Sequence, residues 1–261
     1  MLHHTPLGQP TSYINTYTPG LLAPIARHAP RDFFGYDLWH AYEVSWLNLQ
    51  GKPLASVAEF IFPCSSPYLI ESKSFKLYLN SFNHTPIKSS QALEQLLIKD
   101  LSLACGAPVS VHLKTIDEFT AEPLHTLSGI CLDEEAIAID TYEVQPDYLH
   151  CEENVLTQTV YSHLLKTNCP VTAQPDWGSL EITYTGKQIN PADLLRYIVS
   201  FRNHQDFHEQ CVERIYTDIL QRCAVSQLKV AAYYTRRGGL DINPVRANYE
   251  IPIESKRLGR Q

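Results

Sequence analysis

No stretch of the 261 residues approaches the ~20 consecutive apolar positions that a membrane-spanning helix requires. The opening residues, M-L-H-H-T-P-L-G, have neither the charged entry region nor the apolar run of a signal peptide, so a cytoplasmic protein is expected. Cationic surplus is missing too. Twenty-one Lys and Arg against 28 Asp and Glu leave a net charge of −7, which removes the global basic surface that a nucleic-acid backbone attracts. The seven cysteines (Cys64, Cys105, Cys131, Cys151, Cys169, Cys211 and Cys223) are odd in number, and none forms C-x-x-C. Neither a disulfide framework nor a cysteine zinc site follows from that spacing, and free thiols are the simplest reading. G-x-G-x-x-G and the Walker loop are also absent, so no local motif points to a nicotinamide cofactor.

What is present suits two small domains with real cores. Residues 1–35, rich in Pro, Thr, Tyr and His without periodicity, read as an irregular arm. Strands are expected over Tyr42–Leu47 and Leu54–Phe62, turning through Asn48–Pro53. A helix enters near Ser72. A second opens at Ser89 and Ser90, repeats Leu93, Leu97 and Leu101 on one face, and stops at Gly106. Val109, Val111 and Leu113 then alternate as a strand. Residues 115–153 hold eleven Asp or Glu and no Lys or Arg, with short strand-like pieces such as Ala136–Asp140, and read as a solvated connection. The second half repeats the plan. Leu180, Ile182 and Tyr184 alternate up to a turn at Gly186-Lys187, helices follow at Asp193–Asn203 and Asp206–Cys223, and Leu228–Tyr234 closes as a strand. Two copies of strand–strand–helix–helix–strand argue for a duplicated α+β domain.

Four constellations carry chemistry. In T-N-C-P-V-T-A-Q-P-D-W (167–177), Cys169 precedes a turn bearing Asp176: either a small buried hydrophobe, or a thiolate for an electrophilic carbon beside an acid for the proton. Such an acid must be neutral when it acts, which requires burial or a nearby negative partner; Pro175 and Trp177 are the expected apolar cover. Glu71 and Glu209 each sit in a first helical turn, where a carboxylate offsets the helix dipole or offers two acceptors to a guanine-like edge. His204 and His208 stand four apart on an expected helix: metal-ligand spacing, a structural pair, or His208 as a catalytic acid. Finally T-R-R-G-G-L-D-I-N-P (235–244) is a plain Gly-Gly turn with solvated arginines or an anion nest with arginines for phosphate.

E-S-K-S-F-K-L-Y (71–78), together with T-N-C-P…P-D-W-G (167–178), F-H-E-Q-C-V-E-R (207–214) and R-R-G-G-L-D-I-N-P (236–244), closely resembles the NADPH-dependent 7-cyano-7-deazaguanine reductases in their long, two-module form. The resemblance runs from about Tyr36 onward. It implies tandem tunnelling-fold modules, each an antiparallel four-stranded sheet with two helices, at 36–114 and 160–261, joined by the acidic region 115–159. It implies reduction of a nitrile to a primary amine in queuosine biosynthesis, with two NADPH per substrate and no metal. By motif, Cys169 becomes the nucleophile and Asp176 the proton donor. Ile70, Glu71, Ser72, His208 and Glu209 become substrate contacts, and Ser72, Lys73, Arg237 and Gly238 cofactor contacts. His208 also serves in proton transfer. The partner is a small deazapurine rather than a nucleic acid or membrane, and a homodimer is expected. Three rivals make different predictions: a zinc cyclohydrolase or pterin synthase relative would hold zinc at His204 and His208, a Cys-His amidase would turn over without NADPH, and a purine-binding scaffold would form no adduct.

Overall fold

The computed structural model describes residues 13–28 and 32–261, and its mixed α+β character agrees with the class read from the sequence. The chain divides into two compact units. The first takes its described residues from Met1–Arg31, Asp37–Pro123 and Arg236–Asp241; the second comprises Asp32–Tyr36, Leu124–Thr235 and Ile242–Gln261.

The first unit contains β1 (Pro24–Ala26), β2 (Phe34–Leu47, in this unit from Asp37 on), β3 (Pro53–Pro63), β4 (Tyr68–Ile70), α1 (Ser72–Asn80), α2 (Ser90–Cys105), β5 (Ser110–Lys114) and α3 (Ile116–Ala121). Its main strands run in the order β5-β3-β2, while β1 pairs antiparallel with β4. Local chemistry sets the boundaries. The Asn48 side chain accepts from the backbone N–H of Gln50 and Lys52 and bends the β2–β3 hairpin. The Ser89 hydroxyl caps α2 at Ala92, and Gly106, at φ +74°, ends it in the left-handed conformation. The buried face of α1 puts Phe75 edge-on against Phe60 (4.9 Å between centroids) and Trp39 (5.3 Å), which forms the aromatic core. Asp100, buried on α2, accepts from the hydroxyls of Tyr17 and Tyr78, both at 2.8 Å.

Two expectations need correction here. The described part of the expected irregular arm contains β1, because the backbone of Ala23–Ala26 completes hydrogen bonds for the short edge at Tyr68–Glu71; residues 1–12 and 29–31 of that arm lie outside the described residues. Within the acidic stretch, Ala136–Asp140 is not a strand, and residues 116–121 form α3, started by a capping box between Thr115 and Glu118.

The second unit contains β6 (Ile130–Cys131), β7 (Cys151–Asn168), β8 (Pro175–Ile189), α4 (Pro191–Ser200), α5 (His208–Arg222), β9 (Val225–Tyr234) and β10 (Leu240–Ala247, in this unit from Ile242 on). The strand order is β10-β9-β8-β7-β6, antiparallel throughout except for the short parallel β6–β7 contact. Asn190 caps α4, with Pro191 at its first position. Leu194, Leu195 and Ile198 of α4 and Val212, Ile215 and Ile219 of α5 cluster with Leu180 and Ile182 of β8 and Leu228 and Val230 of β9. Gly186 is not a turn: β8 continues to Ile189 through a register shift, with Gly186 at φ +156° lying so near the Ala224 carbonyl that a Cβ would stand 2.3 Å from it. Among the described residues no helix is long and apolar enough to cross a membrane.

Candidate active site

Cys169 opens the loop between β7 and β8. Its backbone N–H donates to Gln174 O (2.9 Å), and Ala173 N–H donates back to Cys169 O (3.0 Å), with Ala173 in the left-handed region at φ +55°. The antiparallel register pairs Asn168 with Pro175 and Thr167 with Asp176, so the thiol and the carboxylate sit at one end of the same hairpin. Both are buried, Cys169 at 3% exposure and Asp176 at 6%.

A second set of bonds brings α5 to this end. Asn168 N–H donates to His204 O (2.8 Å), and Asp206 N–H donates to Asn168 O (3.2 Å). Zipping residues 204–206 to the tip of β7 delivers the first residue of α5, His208, to the carboxylate: His208 Nε2 lies 3.6 Å from Asp176 Oδ2. The imidazole packs on Tyr234 of β9, with ring centroids 3.9 Å apart. Behind them Thr167, Cys211 and Tyr234 are fully buried. Burial pushes the Cys211 thiol and the Tyr234 phenol well above their ordinary ranges, and the charge on Asp176 pushes both further. Lys166 nearby donates to Asn168 Oδ1 and Arg202 O, both at 2.6 Å; burial and the Arg202 charge lower its pKa.

The cover over Asp176 differs from the expectation. Successive strand residues face opposite ways. Pro175 and Trp177 are exposed, and Trp177 lies under the Arg202 guanidinium at 5.4 Å, while His208 approaches Asp176 from α5. His204 and His208 do not share a helix either: His204 ends a short 3-10 turn and lies 3.7 Å from Asp206. Among the described residues no three His, Cys, Asp or Glu side chains converge as a metal-binding group. Glu209 is buried in the first turn of α5.

The other expected residues lie in the first unit. Ile70 ends β4 and is buried. Glu71 caps α1: its Oε1 accepts from Lys73 N and its Oε2 from Ser74 N, both at 2.7 Å. Burial raises its pKa, and those two bonds pull the other way. Ser72 and Lys73 form the half-buried start of α1. Arg237 and Gly238 belong to the hairpin turn between β9 and β10, closed by Arg237 N–H to Leu240 O (2.9 Å) and Leu240 N–H to Arg237 O (3.3 Å). Gly238 and Gly239 are left-handed at φ +63° and +80°. The turn abuts α1, since a Cβ on Gly238 would stand 3.3 Å from Lys76 Cδ. Helix α1 and the turn therefore combine Arg236, Arg237 and Lys76 with a Gly-Gly backbone that admits close approach. That donor set fits the phosphates of a dinucleotide.

Sequence reasoning missed Tyr234, Thr167 and Lys76. Tyr234 follows the same alternation as Leu228, Val230 and Ala232 and so reads as core; its hydroxyl at the strand end was the available signal.

Comparison with known proteins places these features in a family. A family model described as "Nitrile reductase, 7-cyano-7-deazaguanine-reductase N-term" matches residues 13–113, and one described as "QueF-like protein" matches residues 175–252. An NADPH-dependent 7-cyano-7-deazaguanine reductase of Ralstonia nicotianae is 50% identical over 95% of this chain and 95% of its own length. The Cupriavidus metallidurans protein of that name is 51% identical over 99% of this chain and 98% of its own. The one from Cupriavidus pinatubonensis is 52% identical over 95% of each. Among solved structures, an archaeosine synthase in its apo form aligns with 39% of this chain and 99% of its own at TM-score 0.33 and 13% identity.

Proposed function

This chain belongs to the NADPH-dependent 7-cyano-7-deazaguanine reductases, and we propose that it reduces the nitrile of that deazapurine to the primary amine of queuosine biosynthesis through a covalent thioimidate on Cys169. The observation that carries this reading is the buried hairpin end where Cys169, Asp176 and His208 meet.

The Cys169 thiolate bonds to the nitrile carbon, one π bond of C≡N breaks, and the nitrogen takes the proton of Asp176. Ser72, Lys73, Arg237 and Gly238 would hold NADPH, which would supply a hydride for each of two reductions. After the first, the S–C bond breaks, its electron pair returns to Cys169, and an imine remains. After the second the product is the amine, and His208 passes the proton to its nitrogen. His208 and Glu209 contact the base, and Ile70, Glu71 and Ser72 are read as substrate contacts from their motif; a glutamate carboxylate can accept from its N1–H and 2-amino group.

In the second unit, β7, β8, β9 and β10 form an antiparallel four-strand run with α4 and α5 between its second and third members. That arrangement supports the reading of tandem tunnelling-fold modules, and we read the protein as a cytoplasmic homodimer. Intact mass after mixing with 7-cyano-7-deazaguanine in the absence of NADPH tests the chemistry. A gain of one substrate mass, lost in Cys169→Ala, is expected; a folded protein that binds the base without any gain removes the covalent route.

A further inference from the structure

The R-R-G-G turn carries two arginines, and the scheme above uses only Arg237. The guanidinium carbon of Arg236 lies 3.4 Å from the centroid of the Tyr42 ring, the separation of a flat stack. Tyr42 is itself fixed. Its hydroxyl donates to Asp241 Oδ2 at 2.5 Å, Asp241 Oδ1 bonds His40 Nδ1 at 2.8 Å, and His40 Nε2 lies 3.6 Å from Glu59 Oε2. The Tyr42 backbone N–H donates to Gly239 O at 3.0 Å, so ring and turn are joined along the same edge. All of these groups belong to the first unit.

One face of the Arg236 guanidinium is therefore occupied by the ring, while the residue is exposed and makes no ion pair with a carboxylate among the described residues. An exposed arginine ordinarily spreads over many rotamers; here stacking holds the planar fork in place before any ligand arrives. A pre-oriented guanidinium beside a left-handed Gly-Gly turn suits a phosphate monoester, which it can grip with two parallel N–H bonds. NADPH differs from NADH by one such group, the 2′-phosphate, and arginine is the residue that commonly accepts it. We propose that Arg236 takes the 2′-phosphate and sets the preference for NADPH over NADH, with Tyr42 and Asp241 as positioning residues. This rests on the reading of Arg237 and Gly238 as cofactor contacts.

Direct fluorescence titration of NADPH and NADH into the full chain, without nitrile, tests it. Arg236→Ala is expected to raise the NADPH Kd by about ten- to a hundredfold, the worth of a charge-assisted contact, and to leave NADH binding unchanged. Tyr42→Leu, which removes the stacking surface, weakens the preference in the same direction, and Tyr42→Phe, which keeps the ring, restores most of it. Equal losses for both cofactors in Arg236→Ala, or no loss for either, overturn the proposal. Arg237→Ala serves as the control: if it leaves both affinities intact, the turn is not the cofactor site and the underlying reading fails instead.

Discussion

His208 Nε2 stands 3.6 Å from Asp176 Oδ2, beyond hydrogen-bond length but within reach of one small movement. The two residues arrive there from different elements, β8 and the start of α5, and the bonds from Asn168 to His204 and Asp206 hold them in register. Their roles separate in time. Asp176→Asn removes the proton for the nitrile nitrogen, so adduct formation without NADPH should slow by about 10²–10⁴-fold while the base still binds. His208→Gln should form the adduct and then accumulate it or the imine once NADPH is added. Stopped-flow absorbance with rapid-quench mass analysis distinguishes the two; an Asp176→Asn variant forming adduct at the native rate would remove Asp176 from the scheme.

Much of this was legible because the signals were local. Ser89 and Gly106 bracket α2, and Cys169 and Asp176 share one hairpin, so a single stretch of sequence announces both. β10 was not legible: Pro244 argues against a strand, and Asp241, Asn243 and Arg246 are polar yet fully buried, their partners being distant in sequence. The contact of α1 with the R-R-G-G turn was hidden for the same reason, and so was the approach of His208 to Asp176. Periodicity reports which face is buried, and tertiary contact decides what buries it.

His40 makes the first unit sensitive to pH. Burial alone would lower its pKa, but the bonds to Asp241 and Glu59 outweigh that and raise it to about 9. Around the network, Tyr42 engages Asp241, Lys114 engages Glu59, and Arg236 covers Tyr42. The folded state therefore holds this proton more tightly than the unfolded chain, whose histidine titrates near 6.5. The stabilisation is fully present below about pH 6.5 and fades as pH rises through 9, a loss on the order of 3 kcal/mol. Denaturant unfolding at successive pH values should show that slope in the native chain and a flatter one in His40→Gln. Equal slopes would mean that His40 carries no proton in the fold.

Gly238 and Gly239 are both left-handed, at φ +63° and +80°, so alanine at either costs roughly 1–2 kcal/mol of local backbone energy. At Gly239 the added Cβ would also stand 2.6 Å from Glu43 Cδ, an exposed side chain that can swing away. Gly238→Ala meets Lys76 Cδ at 3.3 Å and disturbs the cation next to the turn. Both variants should raise the KM for NADPH while leaving adduct formation without NADPH at the native rate. A slowed adduct step would assign the turn to the nitrile chemistry instead.

Arg246 supplies the last prediction, because it is a charge with no exposure at all. Its Nε and Nη2 donate to Glu213 Oε1 at 3.1 and 2.7 Å, and its Nη1 donates to the backbone carbonyls of Tyr36 and Val245. Removing the guanidinium takes these donors from the Glu213 carboxylate and two carbonyls, and breaking such a buried pair costs about 3–5 kcal/mol. Arg246→Met should therefore lower stability steeply in urea. Glu213→Leu should also lower stability, since it removes the carboxylate that takes two of the guanidinium's bonds. The double variant, in which neither charge is left alone, should lose less than the sum of the two, because the partners interact. Simple additivity of the two losses would show that Arg246 and Glu213 do not stabilise one another.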